Sequence, residues 1–271
     1  MFHVRKINSL DLPDLQPYRV MRWQQAHRDQ GIFVAEGEKV VRRLFKSDFG
    51  VASLLIPEKW LAEYEPLLNA RHEDIPVFLA DKKLLETLIG FSMYQGVLAV
   101  GRIPPLPSLD EIIARSTPPR LFVAAENLSN AENMGVLVRN CAAFNAQGLI
   151  VGETCTSPFL RRSVRNSMGT IFQMPVLESP NLVQTLQDLR SHGVRCIAAH
   201  PREESKALFE TDFIGDCCIL FGSEGEGISA AALAVCDEAV AIPMPPTVDS
   251  LNVGSAAAAF LYEASRQRKI R

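Results

Sequence analysis

The sequence predicts an α/β protein: a parallel sheet covered by helices on both faces, preceded by a smaller α/β unit. Two observations carry this reading. Apolar strand-like runs alternate with stretches of helical period along most of the 271 residues, and that alternation implies a parallel sheet. Five prolines, Pro104, Pro105, Pro107, Pro118 and Pro119, crowd one stretch and cut the alternation in two.

Taken in order, residues 1–30 read as an irregular arm, because Pro13 and Pro17 interrupt a mixed-charge segment without period. Residues 31–101 form the first domain. Its strands are expected at Ile32–Ala35, Val51–Ile56, Val77–Ala80 and Gly96–Val100, and its helices at Glu38–Lys46, Glu58–Asn69 and Lys82–Ile89. Residues 102–119 read as a proline-rich linker around one short helical stretch, Leu109–Ala114. Residues 120–271 form the second domain, with strands at Leu121–Ala125, Gly148–Val151, Val194–Ala199, Cys217–Phe221 and Glu238–Ile242. Its helices are Gly135–Phe144, Leu182–His192, Ser229–Val235 and Asn252–Lys269.

Composition narrows the function. Hydrophobic residues are 47% and charged residues 22%, the balance of a globular chain rather than a disordered one. Ser250–Tyr262 is too short to span a bilayer of about 30 Å. The N-terminus lacks a continuous apolar core and carries Asp11 and Asp14, so a cytoplasmic address is expected. Six cysteines show no CxxC pair and no histidine at metal spacing, so no metal is expected and the thiols read as small core residues. A net charge of −3 does not announce a nucleic-acid binder. Residues 1–105 hold 14 Lys+Arg against 13 Asp+Glu, and residues 106–271 hold 14 against 18, so any RNA contact must be local.

Three turns between a strand and a helix carry the chemistry. In NLSNAENMGVLVRNCAAF, Asn133 stands at the mouth of a helix and Arg139 further along it; a helix cap and a solvated arginine would look the same. In CILFGSEGEGIS, Gly222, Gly225 and Gly227 surround Glu224, which suits a tight turn or a backbone wrapped around a small ligand. It is not a dinucleotide fingerprint, since the spacing differs and the loop lies far from the first strand of its domain. In IPMPPTVDSLNV, Ser250 or Asn252 could cap the last helix.

Together and in this order, these segments resemble the three motifs of the SpoU/TrmH branch of the SPOUT methyltransferases. The combination spans most of residues 126–260. Two departures stand out: Gly254-Ser255 where many members carry Ser-Val, and Pro245-Pro246 in a loop that often bears glycine. The resemblance implies a trefoil-knotted parallel sheet, S-adenosylmethionine as cofactor, a homodimer, and methylation of a ribose 2′-hydroxyl in RNA, ribosomal before transfer RNA. It implies Arg139, Asn133, Glu224, Ser250 and Asn252 as catalytic residues, and Leu220, Gly222, Ile242, Met244 and Leu251 at the cofactor. The segment FVAEG at 33–37 resembles the start of the family's substrate RNA-binding domain. Basic clusters containing Arg22, Arg28, Arg42, Arg43, Arg161 and Arg165 are the candidates for phosphate contact, with a solvated surface as the alternative. A Rossmann-type enzyme would need a glycine-rich loop after Leu121–Ala125, where ENLSNAENMG stands instead. A base methylase would be expected to lack the Asn-x-Gly-x-x-x-Arg and Ser-Leu-Asn pairing. A non-catalytic RNA-binding protein would be expected to have lost these polar side chains.

Overall fold

In a computed structural model the chain forms two compact units, Met1–Pro105 with Phe159–Phe172, and Leu106–Pro158 with Gln173–Arg271. The structure describes residues 1–21, 24–89, 96–201, 205–223 and 225–268.

The first unit is built on strands β1 (Phe2–Lys6), β2 (Ile32–Glu36), β3 (Val51–Ile56), β4 (Ile75–Leu79) and β5 (Leu98–Arg102). They lie in the order β1-β4-β3-β5-β2, parallel except for β5, which runs against both of its neighbours. Its helices are α1 (Gln16–Arg19), α2 (Gln24–Asp29), α3 (Glu38–Phe45), α4 (Leu61–Asn69) and α5 (Lys82–Ile89). The expected irregular arm is corrected here. Residues 2–6 pair in register with β4, and Leu15, Tyr18 and Met21 are buried, with the Tyr18 hydroxyl 2.8 Å from that of Ser53. β1 is an edge strand whose side chains are mostly exposed, so no apolar run marks it. Pro13 and Pro17 sit in the first turns of helices, where a missing amide costs nothing.

The second unit carries a seven-stranded sheet. Its strands are β6 (Leu121–Ala125), β7 (Gly148–Val151), β8 (Val176–Glu178), β9 (Arg195–Ala199), β10 (Lys206–Ala207), β11 (Cys217–Phe221) and β12 (Glu238–Ala241). The order is β10-β12-β9-β11-β6-β7-β8 and every pairing is parallel. The helices, continuing along the chain, are α6 (Leu109–Arg115), α7 (Ala131–Ala143), α8 (Arg161–Asn166, counted with the first unit), α9 (Leu182–Ser191), α10 (Ala230–Val235) and α11 (Val253–Gln267). Side chains alternate across the strands. Phe122, Ala124, Cys196, Cys218 and Leu220 bury against residues of α6, α9 and α10. On the other side Phe221 meets Phe260 of α11 edge-on, ring centres 5.7 Å apart. Both faces are therefore covered, as buried parallel sheets require.

The expected linker is also corrected. Ser108 and Glu111 form a capping box at α6, and Ile112 is buried in the second unit's core, so the proline-rich stretch contributes a packed helix rather than only a spacer. The apolar side chains of Leu109, Ile112 and Ile113 outweighed the prolines flanking them.

α8 departs from the reading of its arginines as RNA contacts. Glu36, 6% exposed at the end of β2, accepts from Arg161 and, at 2.8 Å, from Arg165. A buried carboxylate needs such partners, and their charge is largely committed to it.

Candidate active site

The carboxyl ends of β9, β11 and β12 open on a cavity of about 350 Å³, the usual place and size for a ligand site in a parallel sheet. Ala199, Phe221 and Ala241 mark the three strand ends. The loops after β11 and β12 form two walls, and Val253, Ala256 and Phe260 of α11 form a third. Of the residues expected at the cofactor, Gly222, Ile242, Met244 and Leu251 line this cavity. Leu220 does not; it is buried in the core on the opposite sheet face, and by alternation its neighbour Phe221 takes the cavity side. Ser250, expected among the catalytic residues, also lines the cavity. His200, Ser223, Glu226 and Asp249 line it too and were not singled out in the sequence. The available signal for His200 was its place directly after β9.

The loop after β11 folds into a small hairpin, with Ser223 and Gly227 exchanging backbone hydrogen bonds at 3.1 and 3.0 Å. Gly222 is fixed by this closure, since a Cβ there would stand 2.2 Å from the Gly227 carbonyl oxygen. Glu224 lies outside the described residues, as does Arg22.

Beside the cavity, the first and third motifs meet directly. Asn252 caps α11, its side-chain oxygen accepting from the Gly254 amide at 2.9 Å, while its Nδ2 donates to Asn133 Oδ1 at 3.1 Å. Asn133 is not itself a cap. Asn130 takes that role, accepting from the amides of Glu132 and Asn133, which frees the Asn133 side chain for Asn252. One helical turn on, Val136 faces Gly254, where a Cβ would lie 2.5 Å from Val136 Cγ1, and Asn140 donates to the Gly254 carbonyl at 2.7 Å. The sequence departure at Gly254 thus permits a close crossing of α7 and α11. Arg139 follows Val136 by three residues, so it adjoins that face. It is exposed and makes no hydrogen bond or ion pair among the described residues.

The other basic candidates divide. Arg42 is held by Glu38 and Glu63 and lies over the Tyr64 ring at 5.2 Å, and Arg161 is 12% exposed against Glu36, so both are taken out of the set free for phosphate. Arg43 is exposed and donates to the Met168 carbonyl at 2.6 Å, Arg165 is half exposed beside Glu36, and Arg28 is exposed at the end of α2. Burial pushes the thiols of Cys196 and Cys236 up to about 12 and that of Cys217 up to about 11, so they are neutral core groups near pH 7. Among the described residues no group of three His, Cys, Asp or Glu could hold a metal ion, and no helix is long and apolar enough to cross a membrane.

Comparison with known proteins bears on this geometry. The model of the SpoU rRNA methylase family matches residues 120–262. An uncharacterized tRNA/rRNA methyltransferase of Mycobacterium bovis is 32% identical over 266 residues, covering 97% of this chain and 87% of its own. Among solved structures, the SpoU methyltransferase AviRb from Streptomyces viridochromogenes, in complex with its cofactor AdoMet, is similar with a TM-score of 0.80 and 27% identity, covering 95% of this chain and 99% of its own. A structure described as an RNA 2′-O ribose methyltransferase is similar with a TM-score of 0.80 and 26% identity, covering 98% and 100%.

Proposed function

The chain belongs to the SpoU rRNA methylase family, and on that premise we propose that it methylates a ribose 2′-hydroxyl of RNA, with ribosomal RNA as the first candidate substrate. It is an RNA methyltransferase and S-adenosylmethionine is its methyl donor. The cavity fits that donor: its size suits a small ligand, and Ile242, Leu251 and Phe260 supply apolar wall. Bound there, the cofactor supplies an electrophilic methyl group on a sulfonium.

The observation that carries the ribose reading is the Asn133–Asn252 hydrogen bond, which joins the first and third motifs beside an arginine with no partner of its own among the described residues. A 2′-hydroxyl is a weak nucleophile at neutral pH, so the chain must orient it and favour loss of its proton. A guanidinium is a poor proton acceptor, so Arg139 is given an electrostatic role rather than that of the base. Its guanidinium stabilises the negative charge that builds on the oxygen, while water or a neighbouring phosphate takes the proton. Asn133 and Asn252 hold the ribose beside it, with Ser250 at the cavity rim and Glu224 assigned to the same task.

The first unit is read as the substrate RNA-binding domain, with Arg28 and Arg43 as its candidate contacts. The trefoil knot belongs to the same reading and is supported by the return of α11 onto α7 and Phe221. So does a homodimer, supported by the partly buried Ala258 and Ala259 and by Tyr262, 59% exposed, on α11. The address is read as cytoplasmic. Light scattering is expected to give twice the chain mass, and a fully active monomer rejects the dimer. Mapping 2′-O-methyl sites in RNA from cells with and without this protein tests the substrate; loss of a site in transfer RNA alone replaces the ribosomal assignment. Arg139→Ala is expected to abolish methyl transfer while calorimetric binding of S-adenosylmethionine persists. Loss of both makes Arg139 a structural residue.

A further inference from the structure

A chain of hydrogen bonds beside the cavity runs through residues to which the reading above gives no part. Glu126 and Asn127 directly follow β6. Both carboxylate oxygens of Glu126 accept from Ser229, one from its amide at 2.8 Å and one from its hydroxyl at 2.7 Å, and Ser229 caps α10. Asn127 stands at φ 54°, in the left-handed region that asparagine enters more readily than most side chains. Its amide donates to Thr154 Oγ1 at 3.1 Å, and its Nδ2 donates to Glu226 Oε2 at 2.8 Å.

Glu226 connects this chain to the cavity. It lines the cavity, and its amide donates to Ser223 Oγ at 3.1 Å inside the hairpin that Ser223 and Gly227 close. Among the described residues Asn127 is the partner of its carboxylate. The far end of the hairpin is anchored separately, where Ile228 is buried and Ser229 is held by Glu126. Gly225 and Glu226 are exposed, and the bond from Asn127 ties Glu226 to the end of β6.

We propose that Asn127 is a positioning residue for the cofactor cavity, holding Glu226, and with it Ser223 and Gly227, in the place where they form one wall. This rests on the reading of that cavity as the S-adenosylmethionine site. The test is calorimetric titration of the full chain with S-adenosylmethionine, with a thermal melt beside it. Asn127→Asp keeps the shape and tolerates the left-handed backbone but sets one carboxylate against another; the dissociation constant is expected to rise about tenfold with the melting temperature unchanged. Combining Asn127→Asp with Glu226→Gln exchanges donor and acceptor, and is expected to restore binding to within about twofold of the native chain. Glu226→Ala breaks the same bond from its exposed side and carries the same expectation of about a tenfold loss if the first variant does not fold. Native-like binding by the single variants overturns the inference, and so does a double variant that remains as weak as Asn127→Asp. Absence of binding by the native chain overturns the reading of the cavity itself, and the latch with it.

Discussion

Gly254 shows how one missing side chain sets the distance between two helices. Its position would bring a Cβ to 2.5 Å from Val136 Cγ1, closer than real carbon contacts, yet the obstacle is the end of a side chain rather than backbone. Gly254→Ala is therefore expected to destabilise the second unit by about 1–3 kcal/mol, the usual cost of overpacking. Val136→Ala in the same chain is expected to recover most of that loss, because the two sites share one space and their effects do not add. Urea unfolding of the single and double variants measures both. The Asn133–Asn252 bond lies at the same crossing, since the helix start that needs the glycine also presents the asparagine. A shift of the helix to admit a methyl group is expected to disturb the Asn133–Asn252 contact directly.

α8 illustrates the same dependence between elements. Its sequence, RRSVRN, reads as a solvated basic turn, but Arg161 and Arg165 both end on Glu36 of β2, in one case 125 residues away. Glu36→Gln leaves Arg161 nearly buried without its anion and is expected to cost about 3–5 kcal/mol in denaturant unfolding. Glu36→Leu with Arg161→Met, which removes both charges, is expected to recover most of it. The central strands of the second sheet were legible because β6, β7 and β11 are buried throughout, and nothing but apolar residues can occupy such positions. β1 was not, being an exposed edge, and β8 and β10 are three and two residues long, too short to show a period. The motif loops of the site were legible through their glycines, prolines and order. The contacts across them were not: Asn133 and Asn252 lie 119 residues apart and Asn127 and Glu226 lie 99 apart, and no local pattern encodes such a pairing.

At the scale of the molecule, acid acts on the first unit through one carboxylate in particular. Arg71 donates to the carbonyls of Ser47 and Phe49 at 2.6 and 2.7 Å and to Glu73, whose Oε1 also accepts from the Val51 amide at 3.2 Å. The hydrogen bonds from Arg71 hold Glu73 down at about 2, against 4.5 for an ordinary glutamate. A folded value below the unfolded one means that the stabilisation is complete above 4.5 and is lost as pH falls through about 2. Melting temperatures recorded across that window are expected to fall for the native chain and to fall less for Glu73→Gln. The division of the chain has its own consequence for synthesis. Because the first unit includes Phe159–Phe172, it cannot be completed when the ribosome has made only residues 1–105; Glu36 waits for arginines translated more than a hundred residues later. By then the intervening residues 106–158, carrying β6, α7 and β7, have also emerged, so the N-terminal unit finishes folding only after construction of the second has begun.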